Sequence, residues 1–264
     1  MTSEQKIPSW GKDHLSTFFQ AAEDNDRVTS LKFPSIYSLL QRVDAAFRRV
    51  EDAVEKHSRQ ELLVPRFLIV RTHSSFLASI RLAMSGQLPE SYAVLRTSIE
   101  QAWYALHIAK DPHPPKRVTV WLCRNDDETS RSKCKNEFTL QNVRSTHESF
   151  DSVTAKQLHE LYERMIDYGA HPNQQSLFLA MSQAETDEET NFTVGILWAS
   201  PDSILLTVRM AVAVAVGALK VFQRVFPERY RLISLDEEIE ALVGELNSAF
   251  KTYESQLKQQ EGTY

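Results

Sequence analysis

"IRLAMSGQLPESYAVLRTSIEQAW", residues 80–103, holds the end of one apolar periodic stretch and the start of another, with a Gly-x-x-Pro turn between them. The first stretch runs from about 62 to 85 and stops at Gly86, a residue suited to the left-handed conformation that ends a helix. The second starts at Pro89, whose fixed φ and missing N–H suit a first helical turn. It continues to the loop "DPHPPKR" at 111–117. So short a connection predicts an antiparallel helical hairpin. Both stretches are apolar around most of their circumference, which places the hairpin at the centre of the fold. Leu77, Ile80, Leu95, Ile99 and Leu106 are the expected core residues of the pair.

Outward from the hairpin the pattern stays helical. Residues 12–24 carry Leu15, Phe18, Phe19 and Ala22 at helical spacing. A helix beginning at Pro34 and reaching about 60 has Ile36, Leu39, Leu40, Val43, Ala46, Phe47, Val50 and Val54 on one face and charges on the other. Helices are expected over 115–125, 129–147 and 152–169. The last carries Val153, Leu158, Leu161, Tyr162 and Met165 and ends at Gly169. Two short apolar runs at 176–181 and 192–198, joined by an acidic link, predict a β-hairpin. Ser200-Pro201-Asp202 caps a helix over 201–226. "SLDE" at 234–237 has the form of a capping box before a final amphipathic helix. The fold class is therefore all-α: a multi-helix bundle around a central antiparallel helical hairpin, with a small β-hairpin near 176–198, in one mainly helical domain over 1–264.

Bulk properties narrow the function. Net charge is −5 at pH 7, so no broad basic field gathers nucleic acid. Cys123 and Cys134, eleven residues apart, would lie about 16 Å from each other on one continuous helix, too far for a disulfide. They read as reduced thiols of a cytoplasmic protein. The N-terminus lacks a signal peptide's basic start and apolar core. The ten-residue run "MAVAVAVGAL", 210–219, is too short to span a bilayer, so no membrane role is expected. No phosphate-binding glycine loop, paired Glu-x-x-His or complete zincin motif is present. "HELYE" at 159–163 has glutamate where the second zinc-binding histidine would stand. No metal or cofactor is expected.

Two constellations carry chemistry. On the fourth helix, Arg96, Glu100, Trp103 and His107 follow one another at i, i+4, i+7 and i+11. They form a polar stripe beside the apolar one. On a central helix both stripes are covered, so Arg96 and Glu100 pair at partial burial, where desolvation costs several kcal/mol, roughly, and needs a reason. One reason is a polar pocket; another is fixing helix register or holding loop carbonyls. Arg209, among apolar residues, is a candidate partner for Glu100. The second constellation is "YERMIDYGAHPN", 162–173, where His171 precedes a proline just after a helix end. A ring there can turn inward toward Glu100 or Arg96.

These stretches resemble known proteins. "GQLPESYAVLRTSIEQAWYALHIAKDP" (86–112), followed later by "YGAHPN", resembles a group of uncharacterised, mostly bacterial helical proteins with an Arg-x-x-x-Glu core helix and a later His-Pro turn. The resemblance covers about 65–175 and implies a fold rather than an activity. More distantly, Arg164 and His171, spaced Arg-x6-His, resemble the motif of HEPN (higher eukaryote and prokaryote nucleotide-binding) helical domains. Many of these cleave RNA without metal. In the HEPN motif a polar residue usually follows the arginine, and here it is Met165.

The leading expectation is a binding or interaction module. Its ligand would be a small polar molecule or a partner protein, held near Arg96, Glu100, His107 and His171, and the chain could pair as a homodimer. The alternative is an HEPN-like endoribonuclease of a defence or toxin system, with Arg164 stabilising charge and His171 as acid and base. RNA is a partner only under that alternative.

Overall fold

The computed structural model describes residues 9–55, 59–170, 174–185, 190–197 and 199–261. The central hairpin is present as expected. Helix α3 (Leu63–Ser85) ends at Gly86, whose φ of 94° is the left-handed cap, and α4 (Leu88–Ala109) begins one residue later than Gln87. Serines let the two helices approach closely: Ser91 Oγ donates to the Ser79 carbonyl at 2.8 Å.

The long helix α10 (Pro201–Val225) lies across both. Ser200 caps it, its hydroxyl accepting from the Ser203 N–H. By length and composition α10 could cross a bilayer, since one 18-residue stretch of it has mean hydropathy 2.0, which the ten-residue run did not convey. Its apolar stretch is 72% buried inside the bundle, as in a core helix.

Helices α1 (His14–Lys32) and α2 (Pro34–Glu55) precede the hairpin, and α11 (Pro227–Leu232) and α12 (Leu235–Glu261) end the chain. Every apolar residue expected to face inward on α2 is buried. Arg42 and Arg49 of α2 pair with Glu245 and Glu238 of α12. His73 of α3 is held between Asp44 and Glu51 of α2, 2.9 Å from each, and stacks on Phe47. One continuous apolar core runs from α2 through α3, α4 and α10 to α12.

A second group of helices packs on the other side of α4: α5 (Lys116–Leu122), α6 (Glu128–Glu137), α7 (Leu140–Phe150) and α8 (Ser152–Met165). The helix expected over 129–147 is two, broken at Phe138-Thr139, because Thr139 Oγ1 accepts from the Asn142 N–H and starts a new helix. After α8 the chain continues as one wide π-type turn, Ile166–Ala170. The short helix α9 (Gln174–Leu179) follows, then the antiparallel hairpin of β1 (Met181–Glu185) and β2 (Thr190–Val194). The first apolar run assigned to a strand is thus helix α9, and the hairpin starts just after it. The protein is an all-α multi-helix bundle with a small β-hairpin.

Four other expectations change. Leu77 is 45% exposed, while Leu95, Ile99 and Leu106 are fully buried. On a helix apolar nearly all round, periodicity cannot say which face is covered. On α1, Leu15 and Phe19 are exposed and the buried positions are Ser16, Ala22 and Thr29. The helix is held by polar contacts, such as Asn25 Nδ2 donating to the Ser85 carbonyl. Ser234 has φ 51°, outside the extended region that a capping-box serine needs. Arg209 lies over the Phe250 ring, 5.9 Å from its centroid, and so turns toward α12.

Candidate functional site

The polar stripe on α4 is where the second helix group attaches. Glu100 Oε1 lies 3.2 Å from Arg96 Nε and accepts from the Tyr162 hydroxyl of α8 at 3.0 Å. Burial, and then the Glu100 charge, push the Tyr162 phenol up to about 12. The Arg96 guanidinium sits 5.9 Å from the Tyr162 ring centroid, and Trp103 packs 5.4 Å from the same ring. The Arg96 and Glu100 side chains are 26% and 37% exposed, so the pair is half-buried.

One turn on, Trp103 Nε1 donates to His147 Nδ1 of α7 at 3.0 Å. Both residues are fully buried. His107 follows, with Nδ1 2.7 Å from the Thr146 hydroxyl of α7. Its Nε2 lies 3.3 Å from Glu137 Oε1 of α6, too poorly aligned for a hydrogen bond. Burial and then Arg117 hold the His107 pKa below its ordinary value. Arg117 of α5 donates from Nε to Glu137 at 2.8 Å, and from Nη1 to the carbonyls of His107 and Lys110 at 2.9 and 3.2 Å. It closes the C-terminal end of α4, where carbonyls lack intrahelical partners. Burial disfavours the ionised Glu137, but the bonded guanidinium outweighs it and holds the carboxyl below its usual range.

Arg96, Glu100 and His107 are therefore brought onto one seam: Arg96 and Glu100 share Tyr162 of α8, and His107 meets Thr146 of α7 and Glu137 of α6. Together they act as a row of interhelix links. His147, Tyr162, Glu137 and Arg117 complete the seam and were missed from the sequence. The signal for an acceptor was the buried indole of Trp103, whose N–H must find one. Nothing in spacing pointed to His147 as that acceptor.

The turn after α8 packs on the start of α4. A Cβ on Gly169 would lie 2.1 Å from the Pro89 carbonyl oxygen, so only glycine fits. Tyr168 packs on Tyr92, with ring centroids 5.6 Å apart. His171 lies outside the described residues, so its expected approach to Glu100 and its pairing with Arg164 both fall there too.

Arg164 itself lines a groove of about 380 Å³ between α8, α10 and α12. Leu158, Leu161, Ala213, Val216, Val243 and Leu246 form its apolar floor. Gly217 deepens it by letting α8 and α10 close up: a Cβ there would meet Leu158 Cδ2 at 2.6 Å. Polar groups stand on its rim, among them Gln157, Glu160, Asn247 and Lys220. Lys220 is held 3.0 Å from Glu240, while Arg164 is exposed and has no ion pair among the described residues. Among the described residues no group of three His, Cys, Asp or Glu side chains is placed to hold a metal ion. Cys123 and Cys134 are free thiols on separate helical segments.

No family model matches this chain, and neither a curated protein nor a solved structure matches it.

Proposed function

We propose that this protein is a helical binding module, and that its ligand is a small amphipathic anion seated between α8, α10 and α12. The observation that carries this reading is the exposed Arg164 guanidinium, which has no ion pair among the described residues, at the edge of an apolar-floored groove. Its volume, about 380 Å³, falls in the range of small-molecule sites. An apolar chain would cover Leu158, Val216 and Leu246 and remove them from water, at about 25 cal/mol per Å² buried. A carboxylate head would take the planar, two-pronged donor set of Arg164. Arg96, Glu100 and His107 are engaged in interhelix contacts, which favours a groove site over a pocket on α4.

Calorimetric titration with decanoate and with 1-decanol tests this. The acid should bind more tightly than the alcohol, and Arg164→Gln should remove the difference while leaving the melting temperature unchanged. Equal binding of acid and alcohol, or no binding of either, overturns the reading. An RNA-cleaving role would need Arg164 and His171 as a pair. Cleavage of RNA in chelator, abolished by His171→Ala, would replace the binding reading with that one.

A further inference from the structure

The groove between α8, α10 and α12 has two unlike ends. Leu158 of α8 sits over Gly217 of α10, and seven residues away on each helix Asp151 meets Arg224 at 3.1 Å. The two helices therefore run antiparallel and in step. Arg164, six residues beyond Leu158, stands level with Ala211. On the other side, Gln223 donates to Asp236 of α12 at 2.9 Å, Lys220 pairs with Glu240 at 3.0 Å, and Arg209 lies over Phe250. Helix α12 is thus also antiparallel to α10. The groove is a trough with α10 as its floor, and α8 and α12, parallel to each other, are its walls.

Along the floor the side chains change size. Ala213 and Gly217 are small and keep the trough open. Lys220, about one turn on, is the longest side chain of the floor, and its ammonium is tied across to Glu240 on the α12 wall. The Lys220 side chain is only 25% exposed, so its stem is largely covered rather than held out in water. The end beside Arg164 has no such bar, and Arg164 makes no ion pair among the described residues.

Building on the carboxylate reading of the groove, we infer that the Lys220–Glu240 pair is a stop across the trough, which limits the ligand to straight-chain acids of about ten carbons or fewer. The head of the acid goes to the Arg164 end, because a carboxylate beside Lys220 would face the Glu240 charge already there. The tail then runs down the floor toward Lys220. Nine residues of α10 separate Ala211 from Lys220, which is about 14 Å of helix. An extended carbon chain, with bonds of about 1.5 Å, advances about 1.3 Å per carbon, so about ten carbons fill that distance. A longer chain must lift the lysine stem or break its bond to Glu240.

Calorimetric titration of the full chain with the saturated straight-chain acids from hexanoate to hexadecanoate tests this. Affinity should rise about fourfold per added methylene up to decanoate and then stop rising. In Lys220→Ala the next obstacle on the floor is Arg224, about one turn further on and held to Asp151 of α8, so the rise should continue to about tetradecanoate. Glu240→Ala frees the lysine to swing aside and should move the limit in the same direction. The Glu240 side chain is 70% exposed, so the fold of that variant should persist in thermal melts. A limit unchanged in both variants overturns the stop. A wild-type affinity that keeps climbing to hexadecanoate overturns it too. If no acid of the series binds, the carboxylate reading of the groove fails, and the stop with it.

Discussion

Trp103 donates its indole proton to Nδ1 of His147, 3.0 Å away, and both side chains are fully buried. The bond requires a lone pair on Nδ1, so the ring is neutral with its proton on Nε2. Burial pushes the His147 pKa down from 6.5 to about 4. An unfolded chain takes up that proton near pH 6.5, whereas the folded one waits until about pH 4. Between those values the unfolded state binds more protons. Stability therefore falls as pH drops through this window and levels off below it, a loss of about 3 kcal/mol from this ring. His147→Asn keeps an acceptor and cannot titrate. Urea unfolding at a series of pH values should show a flatter acid limb in the variant. Equal acid limbs would mean that His147 does not control the transition. His107 shifts in the same direction and stays in both proteins.

The Arg96–Glu100–Tyr162 contact has a different scale. Its ion pair is 26% and 37% exposed, so solvent screens it. Glu100→Ala should cost about 1 kcal/mol, well short of the roughly 3–5 kcal/mol of a fully buried pair. Tyr162→Phe should cost a similar amount. The double change should cost less than the sum, because both remove the same hydrogen bond. Additive losses in denaturant melts would show the two groups to be independent.

Two glycines should respond oppositely to alanine. At Gly169 the new methyl meets the Pro89 backbone carbonyl at 2.1 Å, which no side-chain rotation relieves. Gly169→Ala should destabilise by about 3 kcal/mol or more. Gly244, inside α12, has nothing within 4 Å of an added Cβ. Gly244→Ala should stabilise by up to about 1 kcal/mol through helix propensity. Melting temperatures that move in the same direction would contradict this packing.

Arg117 holds two carbonyls at the end of α4 and one carboxylate of α6 with a single guanidinium. Arg117→Met should cost about 2 kcal/mol, since charged hydrogen bonds are the stronger kind. Arg117→Lys should recover little, because one ammonium cannot span all three acceptors. Full recovery by lysine in thermal melts would assign Arg117 a purely electrostatic role.

The frame of the bundle was readable in the chain because its signals are local. Gly86 and Pro89 mark the central turn, and the one-sided pattern of α2 names its buried face outright. Where a helix is apolar all round, as in α3, the wheel carries no such information. Leu77 was misplaced for that reason. The stripe of Arg96, Glu100, Trp103 and His107 was visible as a spacing, but its partners come from four other helices, and no spacing within α4 encodes them. The groove beside Arg164 was hidden for a related reason. It forms only when α8, α10 and α12 converge from distant parts of the sequence, with Gly217 and Leu158 setting how closely they meet.

The binding reading is tested most directly by methyl NMR of the full chain during a decanoate titration. The expected result is a saturable shift of the Leu158, Val216 and Leu246 methyls, complete at one ligand per chain. The Leu95 and Ile99 methyls inside α4 should stay where they are, and Arg164→Gln should weaken the response. Shifts that appear along the α4 seam while the Leu158, Val216 and Leu246 signals stay fixed would contradict a binding site between α8, α10 and α12.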